Sequence, residues 1–210
     1  MKKLLLSLLC ILATHLACAD DVAVLSILVP KEKKPQQVVI EFHEADAPAT
    51  VDNFKKLARK HFYNGLAFHR VFPHILVQAG DPLSAKEKYR PKIGTSGPGY
   101  TIPPEIRLRH VAGAVAMARL PDKINPSRRS NGSQFYICLK SMPDYDGKYT
   151  VFGQVIGGME TLQQISDLPR DTNDNPTTRI VIKSIRIEPR GKVKISDEKP
   201  QPKKAAAKRG

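Results

Sequence analysis

Eight short runs rich in Val, Ile, Phe and Tyr, bounded by turn-forming Gly, Pro, Asn or Asp, are spread along this chain. They are Ala23–Val29, Gln37–His43, Phe68–Phe72, Ile75–Ala79, Val111–Ala118, Gln134–Leu139, Tyr149–Ile156 and Arg179–Ile187. Runs of this length and composition read as strands. Only two stretches carry a helical period. After Asp46-Ala47-Pro48, the residues Val51, Phe54, Leu57 and Ala58 form one apolar stripe, with Lys55, Lys56 and Arg59 opposite. Pro48 falls in the first turn, where its missing N–H costs nothing. After Gly157-Gly158, the residues Met159, Leu162, Ile165 and Leu168 recur at helical spacing. Many short strands with two isolated helices predict a mainly β fold: a closed antiparallel eight-stranded β-barrel capped by two α-helices. Polar Lys31–Pro35 between the first two runs predicts a hairpin. Arg179–Ile187 has no clean alternation, which predicts a bulge near Lys183-Ser184. Asp81–Pro104 and Arg119–Ser130 read as surface loops.

Lys and Arg number 34 against 20 Asp and Glu, a formal charge of +14 over 210 residues. Taken whole, that balance points to nucleic acid. Its distribution points elsewhere. Lys2 and Lys3 precede the short apolar run Leu4–Leu16, and Ala17-Cys18-Ala19 follows as a small-residue cleavage pattern. Residues 1–19 therefore read as a secretory signal peptide, with a mature chain starting at Asp20 and a periplasmic or secreted destination. Lipid attachment at Cys18 is the competing reading; His15 stands three residues before it, where Leu is the usual residue. Cleavage after Ala19 leaves Cys138 as the only cysteine, so no intrachain disulfide is expected. Residues 191–210 hold seven Lys or Arg against Asp197 and Glu198, with Pro200, Pro202 and no apolar period after Ile195. They read as a disordered basic tail behind a body at 20–190, suited to a screenable attraction to an anionic surface or acidic partner.

Other chemistries lack their signatures. His61, His69, His74 and His110 show no metal-ligand spacing. Gly132-Ser133 lacks the flanking pattern of a nucleophilic serine. Gly94–Gly99 lacks the Lys-Ser/Thr of a phosphate loop. His69 lies beside Arg70 but on the opposite strand face, so it reads as structural.

Three segments carry a specific pattern: Phe68-His-Arg-Val-Phe-Pro73 with Gln78-Ala-Gly-Asp81, then Asn131-Gly-Ser-Gln-Phe-Tyr-Ile137, then Val151-Phe-Gly153. In this order, behind a hairpin and a helix, they resemble the cyclophilin-type peptidyl-prolyl cis-trans isomerases over residues 22–188, in the manner of a bacterial, secreted or periplasmic member. The resemblance implies an enzyme that accelerates rotation about X–Pro bonds and assists folding of exported proteins. It implies no cofactor and no metal, proline-containing unfolded or exported polypeptides as partners, and a monomer. The alternative is a non-catalytic module that binds proline segments and uses its basic tail to hold an anionic partner. By the same resemblance Arg70 is the catalytic donor and Gln78 orients it and binds substrate backbone. Leu76, Tyr136 and Tyr145 line a proline pocket with Ile75 beside them. Ala118 and Arg119 contact the residue before proline, Gln134 binds substrate backbone, and Tyr149 stands where many members have His. Strand alternation independently puts Leu76 with Gln78, and Gln134 with Tyr136, on common faces. Ile75 replaces a usual pocket Phe and Tyr136 a second one. Ser84–Ile93 looks inserted, and Arg119–Ser130 is longer than in compact members. Asp144 stands where eukaryotic members carry Trp, which implies weak inhibition by cyclosporin.

Overall fold

The computed structural model describes residues 20–195. The expected signal peptide at 1–19 and residues 196–210 of the expected tail lie outside the described residues. Among the described residues, nine strands form one antiparallel sheet: β1 (Asp21–Leu28), β2 (Gln36–Phe42), β3 (Ala67–Phe68), β4 (Arg70–Phe72), β5 (Leu76–Ala79), β6 (Ala114–Met117), β7 (Phe135–Cys138), β8 (Val151–Gly157) and β9 (Ile180–Pro189). Their order is β3-β9-β1-β2-β8-β6-β7-β5-β4. Two helices accompany them, α1 (Pro48–Arg59) and α2 (Met159–Ser166).

The expectation of eight strands in a closed ladder needs correction: there are nine, and the order has two ends. The reason lies at His69. The run read as a single strand changes partner there. Ala67 and Phe68 pair with Val181 and Ile180, while Arg70, Val71 and Phe72 pair with Gln78, Val77 and Leu76. The two ends of the sheet are thus consecutive in the chain, joined through one residue rather than through a ladder.

β1 and β2 form the expected hairpin, with Val22 opposite Glu41 and Ile27 opposite Gln36. The bulge also falls in the expected place. Ser26 faces Ser184 while Ile27 faces Ile182, so Lys183 is the extra residue, and it is exposed. The loop after Asp81 is more ordered than its composition suggested, holding 3-10 turns at Pro82–Ala85 and Glu87–Lys92. Val193 and Ile195, at the start of the expected tail, pack with Ile156 against Val22, Val24 and Val39.

α1 buries Val51, Phe54, Leu57 and Ala58, as its period requires. Phe54 is the hub of the interior, with ring centroids of Phe42, Tyr63, Phe135 and Phe152 between 5.0 and 5.9 Å away. The helix has no side-chain cap of its own at Ala47. Glu105 supplies one from a distant loop, accepting from the backbone N–H of Ala49 at 3.1 Å and of Thr50 at 2.9 Å. A carboxylate there satisfies orphan donors and complements the helix dipole. α2 is capped by Gly158, whose φ of +84° and position, with a Cβ due 2.2 Å from the Gln37 carbonyl oxygen, admit only glycine.

The sheet's alternation sets where the site lies. On β5, β6 and β7, Val77 and Ala79, Val115 and Met117, and Phe135 and Ile137 face the main core. Their neighbours Leu76, Ala114, Ala116, Tyr136 and Cys138 turn to the other face and form a second apolar cluster. Both faces of these strands are therefore buried, and the second carries the chemistry.

Candidate active site

A cavity of about 500 Å³ opens on that second face. Of the residues singled out from the sequence, Arg70, Leu76, Gln78, Ala118, Arg119, Gln134, Tyr136, Tyr145 and Tyr149 line it. Ile75 does not; it packs from the flank against the cluster around Leu76 and Tyr136. Phe72 lines the cavity instead. The β4–β5 register explains the exchange. Arg70 faces Gln78 and Phe72 faces Leu76, so these four share one face, and Ile75 precedes Leu76 with the opposite parity.

Arg70 is exposed, its guanidinium carbon 4.5 Å from the centroid of the Phe72 ring, and no ion pair engages it among the described residues. Stacking on an aromatic face holds a guanidinium in place and leaves its N–H groups, which lie in its plane, free to donate. Opposite it, three tyrosines build an apolar box. Tyr136 is 3% exposed. Its ring stands nearly perpendicular to those of Tyr145 and Tyr149, at 6.0 and 5.9 Å. Burial raises the pKa of Tyr136 and of Tyr145 above the ordinary tyrosine value, so both remain neutral phenols. Cys138 lies in the same cluster, and burial pushes its thiol up to about 12, which leaves it without nucleophilic character.

The two glutamines are not equivalent. Gln78 Nε2 donates to Gln134 Oε1 at 2.8 Å. Gln134 Nε2 in turn donates to the Ser96 carbonyl at 2.7 Å and the Gly94 carbonyl at 3.1 Å. The Gln134 amide is thus consumed inside the protein and holds Gln78, whose Oε1 stays uncommitted among the described residues. Behind them Asp81 is fully buried. Its carboxylate accepts from the backbone N–H of Leu83 at 2.7 Å, Gly94 at 2.6 Å and Ser96 at 3.0 Å. The preceding Gly80 has φ +94° and lies against the Ser133 backbone, where a Cβ would come 2.2 Å from the carbonyl oxygen. Gln78-Ala-Gly-Asp81 and Asn131-Gly-Ser-Gln134 are therefore locked together, and with them the far end of the loop that looked inserted.

Arg119 is equally occupied. Nε donates to the Lys148 carbonyl at 2.8 Å, Nη1 lies 2.6 Å from Asp122 Oδ1, and the guanidinium carbon sits 4.7 Å from the Tyr149 ring centroid. It is a wall of the cavity rather than a free cation. Asp122 also pairs with Arg128, and these partners, Arg119 foremost, hold its carboxyl below the usual carboxylate range. The loop is pinned at its other end, where Arg129 donates to the hydroxyl and the carbonyl of Thr101 at 2.6 and 2.8 Å. On this fastened loop Leu120 and Ile124 line the cavity and remain 59% and 68% exposed. Sequence reading missed both, and Phe72. Alternation from Arg70 would have found Phe72, and two aliphatics in an otherwise polar loop were the signal for the others.

His69 faces away from the cavity, is 5% exposed, and neither ring nitrogen has a hydrogen-bond partner among the described residues. Burial draws its pKa from 6.5 down to about 4, and the pull of Asp81 in the other direction does not offset it. Between pH 6.5 and 4 the unfolded chain binds a proton that the folded chain refuses. Stability is full above 6.5 and falls by about 3 kcal/mol as the pH drops towards 4. Urea unfolding across this range should show the loss in the wild type and a flatter profile in His69→Gln. Equal slopes would rule out His69 as the source.

Comparison with known proteins converges on one family. The family model described as "Cyclophilin type peptidyl-prolyl cis-trans isomerase/CLD" matches residues 28–187. A "Peptidyl-prolyl cis-trans isomerase" of Synechococcus elongatus is 42% identical over 124 residues, 59% of this chain and 76% of its own length. "Peptidyl-prolyl cis-trans isomerase B" of Bacillus subtilis is 39% identical over 134 residues, 62% of this chain and 84% of its own. Among solved structures, a cyclophilin type peptidyl-prolyl cis-trans isomerase from Cryptosporidium parvum superposes with a TM-score of 0.68 at 28% identity, covering 80% of this chain and 97% of that one. A second crystal structure of the same protein was obtained in the presence of the dipeptide Ala-Pro, with a TM-score of 0.66.

Proposed function

This chain belongs to the cyclophilin-type peptidyl-prolyl cis-trans isomerases, and from that premise we propose that the cavity between Arg70 and the three tyrosines is where it turns the X–Pro bond of exported polypeptides. The bond resists rotation because its C–N link is partly double, with a barrier of ~18–20 kcal/mol. No covalent bond breaks during the rotation. The catalyst needs only to hold the ring, grip the chain on either side, and favour the twisted amide over the planar one.

Each requirement has a residue. Leu76, Tyr136, Tyr145 and Tyr149 enclose an apolar space for the pyrrolidine ring. Gln78 offers Oε1 to a substrate N–H, held in place by Gln134. In the twisted state conjugation is lost and the prolyl nitrogen regains its lone pair. The Arg70 guanidinium, steadied by Phe72, donates to that lone pair. The planar substrate offers no such acceptor, so the interaction acts on the transition state alone. The observation that carries this reading is a permanently charged donor that has no counter-ion among the described residues and is stacked at the edge of an aromatic box.

A protease-coupled assay on Ala-Pro-containing peptides tests it. The expected result is an isomerisation rate well above the uncatalysed one, which is tens to hundreds of seconds per event. Binding of proline peptides with no gain in rate would overturn the catalytic reading. Leu120 and Ile124 extend the cavity with exposed aliphatic surface, and Ala118 and Arg119 lead into it. Peptides with Leu or Phe before the X–Pro pair should therefore be turned over about three- to tenfold more efficiently than peptides with Asp, given the worth of a buried methylene or two. Equal rates for the two series would remove Leu120 and Ile124 from the site.

The destination belongs to the same proposal. Lys2 and Lys3, the apolar Leu4–Leu16 and Ala17-Cys18-Ala19 support cleavage after residue 19 and work in the periplasm or outside the cell, and the seven cationic residues of 191–210 support attraction to an anionic surface. Intact mass of the mature protein separates cleavage from lipid attachment at Cys18.

A further inference from the structure

His110 lies beneath the tyrosine box, and its side chain is fully buried. One ring nitrogen, Nδ1, is 3.0 Å from Asp146 Oδ1, and the same oxygen accepts from the His110 backbone N–H at 2.7 Å. The other, Nε2, is 3.0 Å from the Tyr136 hydroxyl. The imidazole and phenol rings are nearly parallel, 10° apart, with centroids separated by 6.1 Å. The protonation pattern follows from the inventory of donors. A carboxylate only accepts, so Nδ1 carries the hydrogen. Burial lowers the pKa of His110 from 6.5, which keeps the imidazole neutral and leaves Nε2 bare. A bare nitrogen only accepts, so the Tyr136 O–H donates to it.

We propose that His110 is a positioning residue for the isomerase site: with Asp146 setting its tautomer, it draws the Tyr136 hydroxyl away from the cavity and fixes the phenol ring as an apolar floor for the proline. This rests on the reading of the tyrosine box as the proline pocket. A tyrosine at the floor of an apolar pocket poses a chemical problem, because an unpaired hydroxyl there would turn towards the ligand or draw in water. The His110 acceptor removes the problem. It also fixes the tyrosine's outer end, so the ring meets Tyr145 and Tyr149 edge-on at 87° and 88°. The effect is on holding the proline ring, which is held alike before and during rotation, so it belongs in KM and not in kcat.

A double-mutant cycle is the test, with kcat and KM measured separately for a proline peptide and folding checked by thermal melting. His110→Ala leaves the Tyr136 hydroxyl unpaired and should raise KM about three- to tenfold, the worth of one buried hydrogen bond, with kcat nearly unchanged, whereas Tyr136→Phe removes the hydroxyl itself and should keep KM within about twofold. In the Tyr136→Phe background, His110→Ala should raise KM no further. An equal rise in both backgrounds would make His110 merely structural and overturn the proposal. Nitrogen-15 NMR of the imidazole supplies a reading that does not depend on the His110 variant folding. Nδ1 should be protonated and Nε2 bare at pH 7, and Tyr136→Phe should shift the Nε2 resonance. A hydrogen on Nε2 would overturn the tautomer and with it the anchor. An inactive wild type, by contrast, would sink the proline-pocket reading and leave the tautomer result standing.

Discussion

Arg70→Ala should lower kcat/KM for X–Pro isomerisation by about 10²- to 10³-fold, the usual cost of removing one preorganised donor aimed at developing charge. The loss should fall on kcat, because the lone pair on the prolyl nitrogen exists only in the twisted amide. Arg70 is exposed and its contact within the protein is a stack on Phe72, so melting should shift little. Arg70→Lys is the informative companion. It keeps the charge but loses the planar group that stacks on Phe72 and presents N–H groups in one plane. It should recover only a small part of the activity. Stopped protease-coupled progress curves at low temperature measure both variants against the uncatalysed rate. Activity of Arg70→Ala within threefold of wild type would remove the guanidinium from the mechanism.

The second large effect is expected at Asp81, which never touches the cavity. Asp81→Ala leaves three backbone N–H groups, those of Leu83, Gly94 and Ser96, without their acceptor, and Gly94 lines the cavity. Each buried donor left unpaired costs about 1–3 kcal/mol, so the variant should lose about 3–5 kcal/mol after partial relaxation. That corresponds to about 10 °C or more in Tm for a domain of this size. Activity should fall as well, even below the melting range. The Ser96 and Gly94 carbonyls hold Gln134, and Gln134 holds Gln78. Asp81→Asn keeps one acceptor oxygen and should lie between the two. A melting point within 2 °C of wild type for Asp81→Ala would show that the loop stands without its anchor.

Much of this molecule could be read before it was seen, and the reasons are local. The hairpin β1–β2, helix α1 and the bulge at Lys183 follow from the spacing of apolar residues, which burial enforces element by element. The face shared by Leu76 and Gln78 follows from the two-residue period of a strand. Where reading failed, a partner was the missing quantity. The run through His69 looked like one strand because its composition is continuous, but composition does not say that Phe68 pairs with β9 and Arg70 with β5. Ile75 was carried over by resemblance, while Phe72 takes the cavity face because the β4–β5 turn sets the parity. Gln134 and Arg119 were expected to meet substrate directly. Both line the cavity, and the structure adds the internal partners the sequence did not show: the Ser96 carbonyl for Gln134 Nε2, and the Lys148 carbonyl and Asp122 for Arg119.

What the amino-acid sequence determined alone is therefore the class of fold, the period of each element, the family pattern and the presence of Arg70 and Gln78 in it. These rest on forces that act over a few residues: strand alternation, helical periodicity and turn chemistry. The tertiary structure decided which polar atoms remain free to act. Glu105 caps a helix 55 residues away, Gln134 reaches Ser96 across 38, and His110 takes the Tyr136 hydroxyl across 26. A hydrogen bond needs its partners within about 3 Å and well aligned. No periodicity along the chain encodes that condition between distant residues; it is met only once the sheet has brought them together.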